Sequence, residues 1–308
     1  MTNPGIPPDS VTPICGMVIT FRSDRRAGST FPGLVRYRGH RDVGRRLTAC
    51  HPAKVQAHPS PKDRFVTVYG RKPVLEALAD TALEVDKVVL ADNAGGPAAR
   101  EILHAAAQRG VAVQRATPHR VKVLAGNGRH DQGVLADVVA PRMRTLGSAV
   151  AGESGPVPRT ILLLDGITTP ANVGMILRTA TAAGVDGIVV PRRGVATIDP
   201  LVVKASAGVA FHAPVLRCGT AEEAARTLRG AGYPLFGLAA DAPRTLFSAK
   251  FPSRTAFVLG SETGGVGPEV RAQVSEWLAI PMAGGVESLN VASAAAVLCF
   301  DLVRRRHG

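Results

Sequence analysis

Apolar residues fall in short bursts along most of this chain. Two periods alternate: brief runs with strand character, and longer stretches with apolar positions three or four apart. In residues 65–140 the stretch FVTVYG (65–70) reads as a strand and 73–79 as a short helix. A strand at 87–90, a helix at 97–108 ended by Gly110, and a strand at 111–116 follow. Thr117-Pro118 opens another helix, and 133–139 closes as a strand. This alternation predicts a small three-layer α/β/α domain over 65–140. Residues 159–308 alternate again, with strands at 160–164, 187–190, 213–216, 235–239, 256–259 and 278–281. Helices fit between them at 172–183, 201–207, 221–229 and 268–274. Such a pattern predicts a parallel, helix-covered sheet that binds ligands at the carboxyl ends of its strands. Residues 141–158, with Pro, Gly and Ser, read as a linker. Residues 1–64 carry no sustained period and read as a mostly disordered extension.

The last stretch joins both periods. The strand-like 278–282 runs into Gly284-Gly285, then Glu287-Ser288-Leu289-Asn290, then a long helix. Ser288 or Asn290 can cap that helix, since a short polar side chain satisfies free N–H groups of the first turn. Leu289, Ala292, Ala296, Phe300 and Val303 recur at helical spacing and predict its buried face. Arg304, Arg305 and Arg306 lie at the negative end of its dipole.

Charge narrows the function. The chain carries a net +13, and residues 1–64 hold nine arginines and two lysines against four aspartates. That balance suits a polyanion, nucleic acid first, and residues 1–64 can serve as an electrostatic arm. Within 65–140, Arg71, Lys72, Arg120, Lys122, Arg129 and His130 lie at element ends, where they can contact phosphates. Cys15, Cys50, Cys218 and Cys299 form no CxxC pair and sit beside no histidine cluster, which predicts free thiols and no metal site. No apolar run reaches the length of a membrane span, and the first residues do not read as a signal peptide. A cytoplasmic protein is the expectation.

Three loops carry candidate chemistry. The first, after strand 160–164, runs from Asp165 to Arg178, with Asn172 at a helix start and Gly174 four residues before Arg178. Gly174 and Arg178 share a helical face, so an open, cationic pocket for a phosphate-bearing substrate is expected beside the arginine stem. No G-x-G-x-x-G follows the strand, which argues against a dinucleotide site. The second loop, Gly260 to Gly267, is glycine-rich and lets backbone N–H groups approach a ligand; its Glu262 can order Arg178 or a ligand amine. The third holds Ser288 and Asn290.

Together these residues resemble a known set. Asn172-x-Gly174-x-x-x-Arg178, then Gly260-x-Glu262, then Ile280-Pro281 followed by Ser288-Leu289-Asn290, resemble the three ordered motifs of the SpoU/TrmH family. These are SPOUT-class RNA 2′-O-ribose methyltransferases. Upstream, VYGRKPVLEAL (68–78) and His130-Asp131-Gln132-Gly133-Val134 are similar to the substrate-binding domain of many members, itself similar to a kink-turn-binding ribosomal-protein fold. Asp131 departs slightly from the usual His-Gln-Gly. The resemblance spans 66–308.

The resemblance implies an α/β fold: a SPOUT-type parallel sheet with a C-terminal trefoil knot, preceded by a small α/β/α RNA-binding domain. It implies S-adenosylmethionine as cofactor, held by Gly260, Ile280 and Leu289, with Leu238 as a further candidate. It implies a homodimer through the catalytic domain. Arg178 becomes the centre of catalysis, with Asn172, Glu262, Ser288 and Asn290 holding the arginine and the ribose. Large-subunit (23S) ribosomal RNA, at a guanosine, is the first substrate and transfer RNA the second; protection against a ribosome-targeting antibiotic is compatible. A non-catalytic RNA-binding or ribosome-assembly factor is the alternative from another class. Such a factor should have lost some of the five polar motif residues, and all five are present. A nucleotide hydrolase using Glu262 lacks a P-loop or a metal cluster.

Overall fold

The computed structural model describes residues 64–126 and 131–307. The extension 1–63 and the candidates Arg129 and His130 lie outside the described residues. The first sheet is built from β1 (Phe65–Tyr69), β2 (Val85–Ala91), β3 (Ala112–Ala116) and β4 (Val134–Val139). Its order is β1-β4-β2-β3, with β4 antiparallel to both neighbours and β2 parallel to β3. Strand alternation decides which helix covers which face. Val66, Val68, Val88, Leu90, Val134 and Ala136 pack towards α1 (Arg71–Ala79) and α2 (Gly96–Gln108). Tyr69, Val89, Ala91 and Leu135 pack with Val121 of α3 (Pro118–Ala125) on the other face. The three layers expected from the sequence follow. The first helix begins two residues before Pro73, because a proline in the first turn gives up an N–H that has no partner there anyway.

The stretch 141–158 is not a structureless linker. It contains β5 (Arg144–Thr145), which pairs in parallel as an edge of the second sheet, and α4 (Leu146–Val150), which buries Leu146 and Ala149. Thr145 caps this helix by accepting from the Ser148 N–H at 3.2 Å. Gly, Ser and Pro surround these short elements, so composition alone hides the buried Leu146 and Ala149 that anchor them.

The second sheet holds β5, β6 (Thr160–Leu164), β7 (Gly187–Pro191), β8 (Val215–Cys218), β9 (Leu235–Leu238), β10 (Thr255–Leu259) and β11 (Glu276–Leu278). Its order is β11-β9-β10-β6-β7-β8-β5, and every neighbouring pair is parallel. The covering helices include α5 (Pro170–Ala182), α6 (Pro200–Ala205), α7 (Ala221–Gly230), α8 (Pro268–Arg271) and α9 (Val291–His307). Both faces are covered, so β6 (TILLL) and β10 (TAFVL) are apolar almost throughout and buried along their length. Each buried leucine there contributes about 2 kcal/mol. The last strand ends at Leu278 rather than Pro281. Beyond it Ala279 leaves β9 and instead bonds residues 244–246, its N–H donating to the Arg244 carbonyl at 2.8 Å.

The carboxy-terminal helix is rotated from the expected face. Val291, Ala292, Ala295, Leu298 and Cys299 are buried, while Phe300 is 53% and Leu289 37% exposed. The sequence VASAAAVLCFDLV is apolar nearly all round, so its period leaves the rotation open. Tertiary anchors set it. Asp301 is buried and accepts from Arg304 and Arg305 at 2.8 and 2.6 Å. The same Arg305 donates to the Ala249 and Leu246 carbonyls and lies 5.0 Å from the Phe251 ring centroid. Arg306 donates to the carbonyls of Ala183 and Gly184, just past α5. The terminal arginines thus make specific bonds, beyond any dipole effect. Cys218 and Cys299 are free, and burial pushes both thiols up to about 12. Among the described residues no helix is long and apolar enough to cross a membrane.

Candidate active site

Strand order reverses between β6 and β10: the chain leaves β6 towards β7 and β8, then returns to β9 and β10 on the other side. Such a switch point opens a crevice at the carboxyl ends of the two strands, because their loops turn apart. Here the loops are tied at their base. The Asp165 N–H donates to the Leu259 carbonyl at 2.9 Å, and the Gly267 N–H donates to the Asp165 carboxylate at 2.7 Å. The glycine-rich loop between them folds into a tight hairpin, with Ser261 and Gly265 exchanging two backbone bonds of 2.9 Å. A Cβ at Gly260 would meet the Gly265 backbone at 2.3–2.5 Å, so glycine is needed for the loop to close on itself.

Asn290 joins the three loops. Its Oδ1 accepts from the Ala292 N–H at 2.9 Å, which makes Asn290, rather than Ser288, the cap of α9. Its Nδ2 donates to Asn172 Oδ1 at 3.1 Å and to Glu262 Oε1. Asn172 is buried in the first turn of α5, while Glu262 lies exposed on the hairpin. One amide therefore links residues 118 and 28 positions away in sequence.

Asn290 and Glu262 border a cavity of about 570 Å³, in the usual range for a small-molecule site. Leu238, Gly260, Ile280 and Leu289 all line it, as do Glu262, Ser288 and Asn290. All four residues expected to hold the cofactor and three of the five polar motif residues thus share one cleft. Asn172 reaches it through Asn290. Arg178 does not line it: it is exposed on α5 and makes no hydrogen bond or ion pair among the described residues.

The open pocket expected beside Gly174 is absent. A Cβ there would meet Ala205 Cβ at 2.5 Å, the Val202 carbonyl at 2.7 Å and the Ser206 nitrogen at 2.9 Å. Gly174 instead lets α6 approach α5 backbone to backbone. Gly174→Ala should therefore cost about 1–3 kcal/mol, because two of the three clashing atoms belong to backbone. A denaturant titration reads this directly; an unchanged midpoint would show that α6 yields freely.

The basic candidates of the first domain are exposed in opposite layers. Arg71 and Lys72 open α1, and Arg120 and Lys122 lie on α3. The Arg71 N–H donates to Gln132 Oε1 at 3.0 Å, and the Asp131 carboxylate takes the Gly133 N–H at 2.8 Å, so Asp131 holds its own turn. Sequence reasoning missed Asp165, whose position directly after β6 was its one signal. It also missed Arg271 and Trp277 in the cleft wall, stacked with the guanidinium 4.5 Å from the ring centroid. Trp277 is the sole tryptophan of the chain, but nothing in the local pattern pairs it with Arg271.

Known proteins are similar to this chain in sequence and fold. Residues 159–300 match the SpoU rRNA Methylase family, and residues 67–144 match the RNA 2′-O ribose methyltransferase substrate-binding domain. A Xanthomonas axonopodis pv. citri protein named 23S rRNA (guanosine-2′-O-)-methyltransferase RlmB is 34% identical over 78% of this chain and 97% of its own length. A Burkholderia protein of the same name is 36% identical over 67% of this chain and 83% of its own. The SpoU methyltransferase AviRb from Streptomyces viridochromogenes, solved with its cofactor AdoMet, superposes with a TM-score of 0.53 at 26% identity. That match covers 80% of this chain and 92% of AviRb. With both of its domains matched, and with a relative 34% identical over nearly its full length, the chain belongs to the SpoU family of RNA methylases.

Proposed function

We propose that this chain transfers the methyl group of S-adenosylmethionine to a ribose 2′-hydroxyl of structured RNA, with a guanosine of 23S ribosomal RNA as first substrate. The observation that carries the reading is the Asn172–Asn290–Glu262 link at the mouth of a cleft lined by Leu238, Gly260, Ile280 and Leu289. The rRNA guanosine comes from the names of relatives matched over nearly their full length.

The cleft fits the cofactor. Adenine and ribose need apolar walls and backbone hydrogen bonds, and Leu238, Ile280, Leu289 and the glycine hairpin supply both. When bound, the cofactor supplies an electrophilic methyl on a positively charged sulfur. The chain's own residues do the rest. Glu262 is held by the Asn290 amide, and Asn172 Oδ1 is occupied by the same amide, which leaves the Asn172 nitrogen to donate towards the ribose. Ser288 supplies a hydroxyl that orients the nucleotide. Arg178 clamps the neighbouring phosphate and stabilises negative charge developing on the 2′-oxygen. Two copies pair through the catalytic domain, which accounts for an arginine that stands outside the cleft of its own chain. The segment carrying Ser288 to Asn290 threads a loop as a C-terminal trefoil knot. Residues 65–140 hold the RNA, residues 141–307 carry the chemistry, and the protein works in the cytoplasm.

No group of three or more metal-ligating side chains gathers among the described residues. EDTA-treated protein should therefore bind S-adenosylmethionine undiminished in a calorimetric titration. Binding restored only by a divalent ion would overturn this part of the reading. Incubation with unmodified 23S rRNA, followed by mass spectrometry of nucleosides, should show a 2′-O-methylated guanosine.

A further inference from the structure

We propose that Tyr69 is a positioning residue for methyl transfer: its hydroxyl, bound to Asp199, couples the RNA-holding edge of the first domain to the elements that carry Asn172 and Glu262. The inference rests on the function proposed above. Tyr69 is a core residue of the first domain, packed with Val89, Ala91, Val121 and Leu135. Phenylalanine would fill that space equally well. What tyrosine adds is a hydroxyl, and a buried one needs a polar partner. That hydroxyl donates to Asp199 Oδ2 at 3.0 Å, across 130 positions of sequence.

On the RNA side, Tyr69 is continuous with the basic edge. The Gly70 N–H donates to the Val134 carbonyl at 3.0 Å and the Arg71 N–H to Gln132 Oε1 at 3.0 Å. The 131–134 turn, Arg71 and Tyr69 therefore move together. On the catalytic side, Asp199 divides its carboxylate. While Oδ2 takes Tyr69, Oδ1 caps α6 by accepting from the Leu201 and Val202 N–H groups at 2.9 and 3.1 Å. Two routes lead on from there. First, α6 is seated against Gly174, two residues from Asn172 on α5. Second, three residues before Asp199, the Ala196 N–H donates to the Ile167 carbonyl at 2.9 Å. Ile167 is two residues from Asp165, which pins Gly267 at the end of the hairpin that bears Glu262. A shift of Asp199 would reach both halves of the Asn172–Asn290–Glu262 link. Methyl transfer requires the nucleophile to be held within a fraction of an ångström, so a slack joint between RNA holder and site slows the reaction without loosening either ligand.

The test uses the full chain and an unmodified 23S rRNA fragment, with three variants: Tyr69→Phe, Asp199→Ser and the double. Serine keeps a cap for α6 but is too short to reach Tyr69. Tyr69→Phe should slow single-turnover transfer about tenfold at saturating RNA and cofactor, with both dissociation constants unchanged and the melting temperature lowered only slightly by the loss of one hydrogen bond. Asp199→Ser should slow it similarly, and the double variant no further, because both remove the same contact. Hydrogen exchange provides a second readout. RNA should raise protection at 170–174 and 196–205 in wild type and not in Tyr69→Phe. Wild-type transfer by Tyr69→Phe, or multiplicative slowing in the double variant, would overturn the proposal. A wild-type chain that binds the RNA but transfers no methyl would sink the functional reading instead, while the exchange pattern still judges the contact.

Discussion

Arg178→Ala is expected to slow methyl transfer by about a hundredfold or more while cofactor affinity stays near wild type. The split follows from geometry. Arg178 does not line the cleft that takes the cofactor, so its removal leaves those walls intact. It makes no hydrogen bond or ion pair among the described residues, so no internal structure depends on it. A long cation held on a buried helix, with its charge unspent, is suited to an external anion. The attacking 2′-hydroxyl must lose its proton, and no histidine lies in the three loops to take it. Guanidinium keeps its charge in proteins, and an adjacent phosphate favours that charge further. Arginine then acts by stabilising the developing oxyanion. Direct deprotonation by arginine is the rival. Arg178→Lys should recover little, because a point charge lacks the planar fork that fits phosphate and oxyanion together. Single-turnover kinetics with saturating RNA and cofactor measure this. Near-wild-type transfer by Arg178→Ala would falsify the assignment.

Asn290→Ala should have the second largest effect, and it should act on two quantities at once. Capping of α9 is lost, at about 1 kcal/mol. The Asn172 amide, buried in α5, loses the donor to its Oδ1, at about 1–3 kcal/mol. Glu262, on an exposed hairpin, is no longer held at the cleft mouth. Transfer should fall about a hundredfold, as when one preorganised polar contact is removed from a reacting centre. The serine variant separates the two roles. Asn290→Ser keeps a cap hydroxyl but cannot span to both Asn172 and Glu262, so stability should largely return and the rate should not. If stability and rate recover in parallel, Asn290 is a helix cap and nothing more.

What the sequence by itself determined is what short-range physics writes into it. Periods of two and of three to four located nearly every strand and helix of 65–140 and 159–307, because each element must bury one face whatever its neighbours are. The three polar loops were legible too. Each follows an apolar strand and begins a helix or a tight turn, and their order resembles one family. Leu238, Gly260, Ile280 and Leu289 were placed by that resemblance, and the structure gathers all four in one cleft.

Tertiary structure alone decided how those pieces meet. The rotation of α9 came from Arg305, held by Asp301, gripping the Leu246 and Ala249 carbonyls, since a helix apolar on every side has no period to read. Residues 144–150 became sheet and helix because β8 offered a free edge, whereas their composition reads as linker. Gly174 looked like room for a ligand but is room for α6, and only a backbone 2.7 Å from its missing Cβ shows the difference. Asn290 was a cap in sequence; its hold on Asn172 and Glu262 spans 118 and 28 residues. Contacts of that reach depend on sheet order, and no local period encodes sheet order.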